Sequence, residues 1–112
     1  MTNSKKIITK TCAVNAIQKV MSGKWKLVII WELRDGHIRF NELHRSIPNI
    51  THSYLSSQLK ELEADLIIKR TVYNETPLRV EYSLTDIGRQ FLDVMENLCD
   101  WGFDYINYTT NL

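Results

Sequence analysis

Thr51-His52-Ser53-Tyr54-Leu55-Ser56-Ser57-Gln58-Leu59-Lys60-Glu61-Leu62-Glu63-Ala64-Asp65-Leu66 is the stretch on which the architecture turns. Leu55, Leu59, Leu62 and Leu66 stand at i, i+4, i+7 and i+11, which is one face of an α-helix, and Thr51 is a residue type that caps a helix start. The opposite face carries Ser53, Ser57 and Lys60, with His52 and Ser56 at its flanks. A face that only needs solvation carries Glu/Lys pairs at helical spacing. Small hydroxyls, an imidazole and an ammonium instead make a face suited to contact with another molecule.

Upstream, Val14, Ile17 and Met21 predict a short amphipathic helix over Thr11–Met21, ended by Ser22-Gly23. Lys24–Leu33 is apolar nearly all round and predicts a buried helix closed by Asp35-Gly36. Phe40, Leu43 and Ile47 predict a third helix over Arg39–Ile47, stopped by Pro48 because the residue before a proline avoids helical dihedrals. Downstream the period changes to two. Ile68, Arg70 and Val72 alternate with Lys69, Thr71 and Tyr73, and Val80, Tyr82 and Leu84 alternate with Arg79, Glu81 and Ser83. These are two strands of a hairpin joined by residues 74–78. Thr85 caps a last helix with Ile87, Phe91, Met95 and Leu98 at helical spacing. Beyond them, Trp101, Phe103, Tyr105, Ile106 and Tyr108 are more apolar surface than one small domain covers, which predicts a partner subunit.

Helices, a well-formed helix with a polar outer face, a hairpin and a closing helix are the order of a winged helix-turn-helix. The fold class is therefore mainly α with a small β-hairpin (α+β), dimerising through its first and last helices. Residues 1–10 are expected to form a flexible arm, residues 11–108 the DNA-binding domain, and about 85–108 its dimerisation helix. In this fold the fourth helix enters the major groove and the hairpin meets phosphates or the minor groove. The expected partner is double-stranded DNA with a palindromic operator. The candidate contacts are Thr51, His52, Ser53, Ser56, Ser57 and Lys60 on the helix, Lys69 and Arg79 on the wing, and Lys24, Lys26 and Arg39 on neighbouring helices.

The same residues carry a family resemblance. Cys12-Ala13-Val14, Gly23-Lys24-Trp25-Lys26, Arg39-Phe40-Asn41-Glu42-Leu43, Ile47-Pro48-Asn49-Ile50-Thr51, Leu59-Lys60-Glu61-Leu62-Glu63-Ala64-Asp65 and Pro77 to Thr85 together resemble the HxlR-type family, in order from about Cys12 to Gly102. The resemblance implies a bacterial winged-helix transcriptional regulator, homodimeric through its first and last helices, that represses or activates nearby genes. It also implies a small electrophile or oxidant as effector, because several members sense such compounds through a cysteine at the position of Cys12. The chain departs from the family in two places. Leu66 stands where the family usually has Gly, which argues against a tight helix end there. Thr51-His52-Ser53 replaces a Ser-Gln-Lys start, so one phosphate contact is lost and the operator differs.

Two readings of Cys12 stand side by side. The helix start and the cations Lys5, Lys6 and Lys10 would activate its thiol for sensing, whereas a free cysteine is equally at home packed in an interface. Cys99, beside Leu98, reads as core or interface. Trp25, Trp31, Trp101 and Phe103 read as core and interface aromatics rather than a ligand pocket. His37, His44 and His52 lack metal-ligand spacing and read as surface or DNA-facing, so no metal and no cofactor is expected. No phosphate-binding glycine loop, nucleophile elbow or His-Glu-x-x-His is present, and Cys12 has no evident His partner, so the chain does not read as an enzyme. The competing class is a winged-helix module that binds protein.

Composition agrees with these limits. The 112 residues, 44% hydrophobic and 24% charged, make one ordinary globular domain. The longest apolar run, Leu27 to Trp31, is far too short to cross a bilayer, and the N-terminal residues lack a secretory signal. A cytoplasmic location with both cysteines as thiols is expected. Net charge is +1, but residues 1–56 hold nine Lys/Arg against three Asp/Glu and residues 57–112 hold five against ten, a hint of separate faces.

Overall fold

The computed structural model describes residues 8–111. Within them the chain forms five helices and a three-stranded antiparallel sheet. Most of the expected arm over residues 1–10 lies outside the described residues. Its last residues belong to the fold, because Thr9 caps helix α1 (Lys10–Val20) and accepts a hydrogen bond from the Cys12 N–H at 3.2 Å. Helix α1 buries none of its residues. The chain then passes through Gly23, whose φ of +125° closes the turn in a region that a side chain resists.

Helix α2 (Lys26–Glu32) is shorter than the apolar run predicts. It turns Ile29 and Ile30 into the core, with Leu33 just beyond it, while Leu27 and Val28 stay exposed, so it is not buried all round. Strand β1 (Ile38–Arg39) was not expected, and it moves the start of α3 (Phe40–Ser46) one residue past Arg39. Leu43 and Ile47 are buried, and Pro48 follows the helix end. Helix α4 (His52–Ala64) starts after its expected cap, with the Thr51 hydroxyl accepting from the Tyr54 N–H at 3.1 Å. Leu55, Leu59 and Leu62 are fully buried in one continuous core with Ile29, Ile30, Leu43 and Ile68, each contributing about 1.5–3 kcal/mol.

Leu66, by contrast, is neither helical nor buried. It takes a φ of +66° and leaves 71% of its surface exposed. The tight helix end forms without the glycine: the Leu66 N–H donates to Glu63 O and the Ile67 N–H to Leu62 O, each at 3.0 Å, which satisfies two carbonyls of the last turn. Burial of Ile67 and Ile68 on the far side holds the corner against the cost of a left-handed leucine. Leu66→Gly is therefore expected to raise stability by about 1 kcal/mol, and an unchanged or lower urea midpoint would contradict this.

Strands β2 (Ile68–Tyr73) and β3 (Arg79–Leu84) form the hairpin. The sheet order is β1-β3-β2, with Arg39 opposite Glu81 and Tyr73 opposite Arg79. The expected two-stranded hairpin is thus a three-stranded sheet. Thr85 caps α5 (Asp86–Thr110), its hydroxyl accepting from the Gly88 N–H at 3.2 Å. The same hydroxyl reaches Leu66 O at 2.6 Å and Ile67 O at 3.0 Å, tying the start of α5 to the corner after α4. Only Gly88 and Met95 of α5 are buried. Trp101 and Phe103, expected in core or interface, are 64% and 66% exposed, so within one protomer they are not core.

Candidate nucleic-acid interface

The outer face of α4 is mounted rigidly and left open. Its inner face is clamped in the core, whereas Thr51, His52, Ser53, Ser57 and Lys60 are exposed and Ser56 is half-buried. The Ser57 hydroxyl donates back to Tyr54 O at 3.0 Å, which fixes its rotamer and leaves its lone pairs facing outward. The His52 ring packs on Phe40 of α3 with centroids 4.5 Å apart. His44, expected at the surface or facing DNA, is half-buried instead: its Nε2 lies 2.9 Å from Ile50 O and holds the turn between α3 and α4.

Lys26 cannot serve as a phosphate contact. Its side chain is 2% exposed and its Nζ lies 2.6 Å from Glu61 Oε1 on α4. An ammonium this deeply buried requires a carboxylate, and the pair fastens the start of α2 to α4. Lys24, in the turn before α2, is exposed with its ammonium 5.2 Å from the centre of the Trp25 ring. Lys69 is exposed on β2 and Arg39 at the end of β1.

Arg79 stands on the wing, but its charge is already engaged. Its guanidinium lies 4.0 Å from the Tyr73 ring centre, 2.9 Å from Glu75 Oε2 and 3.5 Å from Glu81 Oε2. Sequence spacing shows the i, i+2 and i, i+4 carboxylates, yet not that both turn toward the arginine. A groove of about 520 Å³ opens between α3 and the wing, and Arg39, Arg45 and Arg79 all line it. Arg45 and Asn41 escape sequence reasoning because they lie on the polar side of a short helix with no period of their own.

Cys12 is exposed one turn into α1. The Thr9 hydroxyl donates to its Sγ at 3.2 Å, and this hydrogen bond holds the thiol below its ordinary range. In a Cys99→Ser background, Thr9→Val is expected to move the pH profile of Cys12 alkylation upward, and Thr9→Ser to leave it in place. An unmoved profile in Thr9→Val would contradict the assignment. Cys99 is also exposed, in a groove with Leu27, Val28, Trp31 and Met95. A second apolar groove runs between α1 and α5, lined by Ile17, Val20, Met21, Ile87 and Phe91. Among the described residues, no helix is long and apolar enough to cross a membrane.

Comparisons with known proteins converge on this arrangement. The family model described as HxlR-like helix-turn-helix matches residues 20–110. The chain is 47% identical over 95 residues to the uncharacterized HTH-type transcriptional regulator YtcD of Bacillus subtilis, covering 85% of this chain and 75% of that one. Its structure is similar to that of the redox regulator HypR in its reduced form, with a TM-score of 0.82 and 39% identity over 89% of this chain and 99% of HypR. It is also similar to the reduced form of the transcriptional regulator YodB from B. subtilis, with a TM-score of 0.72 and 33% identity over 85% of this chain and 91% of YodB.

Proposed function

Because the chain belongs to the HxlR-like helix-turn-helix family, we propose that it is a sequence-specific, DNA-binding transcriptional regulator that works as a symmetric homodimer. The observation that carries this reading is the outer face of α4, polar and exposed on a helix whose inner leucines are locked in the core. Thr51, His52, Ser53, Ser56, Ser57 and Lys60 supply the base and phosphate contacts in the major groove. Lys69 on the wing, Arg39 at the end of β1 and Lys24 in the turn before α2 serve the backbone, while Arg79 holds Glu75 and Glu81 away from it. The dimer forms through α1 and α5, where Val14, Ile17, Val94, Leu98, Trp101, Tyr105 and Tyr108 are exposed on otherwise apolar faces. It sets two α4 helices about 34 Å apart on a palindromic site. Such a regulator acts in the cytoplasm, where its DNA is.

HypR, to which this chain is similar, is a redox regulator, and Cys12 is the residue of this chain that would carry such a response. Oxidation or alkylation of its hydrogen-bonded thiol at the start of α1 shifts the dimer and so the α4 pair. A Cys12→Ser variant should then keep its operator affinity in diamide or quinone while the native protein loses or changes it. Equal responses would remove Cys12 from this role.

The DNA-binding reading is tested by fluorescence anisotropy of the native protein with duplex DNA across a range of salt. The logarithm of affinity should fall linearly and steeply with the logarithm of salt, and Lys60→Ala, which removes one contact per protomer, should reduce the slope of the dimer by about 1.8. A flat profile would favour a protein-binding module.

A further inference from the structure

We propose that the groove between α3 and the wing seats a phosphodiester of the DNA backbone, held by Arg39 and Arg45. This rests on the DNA-binding reading and identifies where the strand between two grooves of the duplex would pass.

Position is the first argument. Phe40 lines the groove on one side and packs its ring against His52 at the start of α4, with centroids 4.5 Å apart. Leu78 and Arg79 of the wing line the other side. The groove therefore lies between the wing and α3, the helix whose Phe40 abuts the start of α4, so it flanks the helix that enters the major groove on the side toward the wing. A sugar-phosphate strand separates two neighbouring grooves of a duplex, so it must cross this gap.

Charge is the second argument. Among the described ion pairs, Lys26 is matched by Glu61, and Arg79 by Glu75 and Glu81. Arg39 and Arg45 make no ion pair among the described residues, and both are exposed on the groove wall. The carboxylate in the same wall, Glu42, has its Oε1 3.3 Å from the Arg39 backbone N–H, which donates to it. The two guanidinium groups keep their forked donors available, and such a fork matches phosphate oxygens in pairs.

The backbone supplies the third. Strand β1 covers β3 only at Glu81 and Tyr82, because the chain leaves the sheet after Arg39 to enter α3. The edge of β3 at Arg79 and Val80 is thus left facing the groove. Arg79 acts here as a positioning residue: its pairing with Glu75 and Glu81 keeps two carboxylates from repelling the phosphate.

The test compares duplex affinity against salt for the native protein and for Arg45→Gln, Arg39→Gln and Arg45→Lys. Each Gln variant removes one phosphate contact per protomer and is expected to lower the slope of the dimer by about 1.8, with the same fold-loss on an operator and on unrelated duplex DNA. Arg45→Lys is expected to keep the slope. A native slope in both Gln variants, or a loss confined to one sequence, would overturn the proposal while leaving the regulator reading intact. Inorganic phosphate competing beyond chloride of equal ionic strength, with the excess abolished by Arg45→Gln, would assign the groove to a free phosphorylated ligand instead. A native protein with no duplex binding would remove the regulator reading itself, and the proposal with it.

Discussion

Gly88→Ala is expected to destabilise the protein by about 2 kcal/mol and to lower its Tm by roughly 10 °C. A Cβ at Gly88 would stand 2.2 Å from Ile67 O and 3.3 Å from Leu84 Cδ2. The carbonyl cannot swing away cheaply, since it accepts the Thr85 N–H at 3.0 Å and lies 3.0 Å from the Thr85 hydroxyl. Relieving the overlap means lifting α5 from the corner after α4, which costs about 3 kcal/mol as an overpacked contact. Alanine returns about 1 kcal/mol through its higher helix propensity. Gly102, in the same helix, has open space within 4 Å of its Cβ position, so Gly102→Ala should stabilise the protomer by up to about 1 kcal/mol. Thermal melts of the two variants check this directly. Equal shifts would show that the close crossing at Gly88 is not what holds α5 in place. The crossing also fixes the angle between α4 and α5, the helices proposed to read DNA and to form the dimer.

The second large effect is asymmetric. Glu61→Ala is expected to cost about 2–3 kcal/mol, whereas Lys26→Met is expected to cost less than about 1 kcal/mol. Removing Glu61 strands an ammonium whose side chain is 2% exposed, and Glu61's own 55% exposure moderates the penalty by admitting some water. Removing Lys26 in favour of an apolar chain of similar length leaves a carboxylate that already faces solvent. The double variant should resemble Lys26→Met. Urea unfolding of the three variants reads the pattern, and equal costs for the two single changes would contradict it. Lys26→Met should also keep the native salt slope of DNA binding, in keeping with a lysine that fastens helices and does not touch phosphate.

The long periodic elements were readable from the sequence, because three or more turns of leucines admit one reading. Helix α4 with its Thr51 cap, the hairpin and the Thr85 cap of α5 all stand where the pattern put them. Strand β1 was not readable, since two residues are too few to show any period, and it exists only because Glu81 and Tyr82 offer it an edge. Leu66 misled in both directions. It extends the leucine stripe by spacing and lacks the glycine of a tight end, yet the corner bonds form around it. The face of α4 could be inferred from residue types alone. Lys26 could not be removed from the contact set that way, because burial of a lysine depends on a carboxylate 35 positions away in the chain. The groove with Arg45 likewise requires the tertiary fold, since α3 and the wing are brought together only by the sheet.

The most direct measurement is selection of duplex DNA from a random library by the purified, reduced protein. Enrichment of a palindrome with half-site centres about one helical turn, roughly 10 base pairs, apart is the predicted result. Failure to enrich any sequence, from a protein shown to be folded, would contradict the account of α4 as a DNA-reading helix.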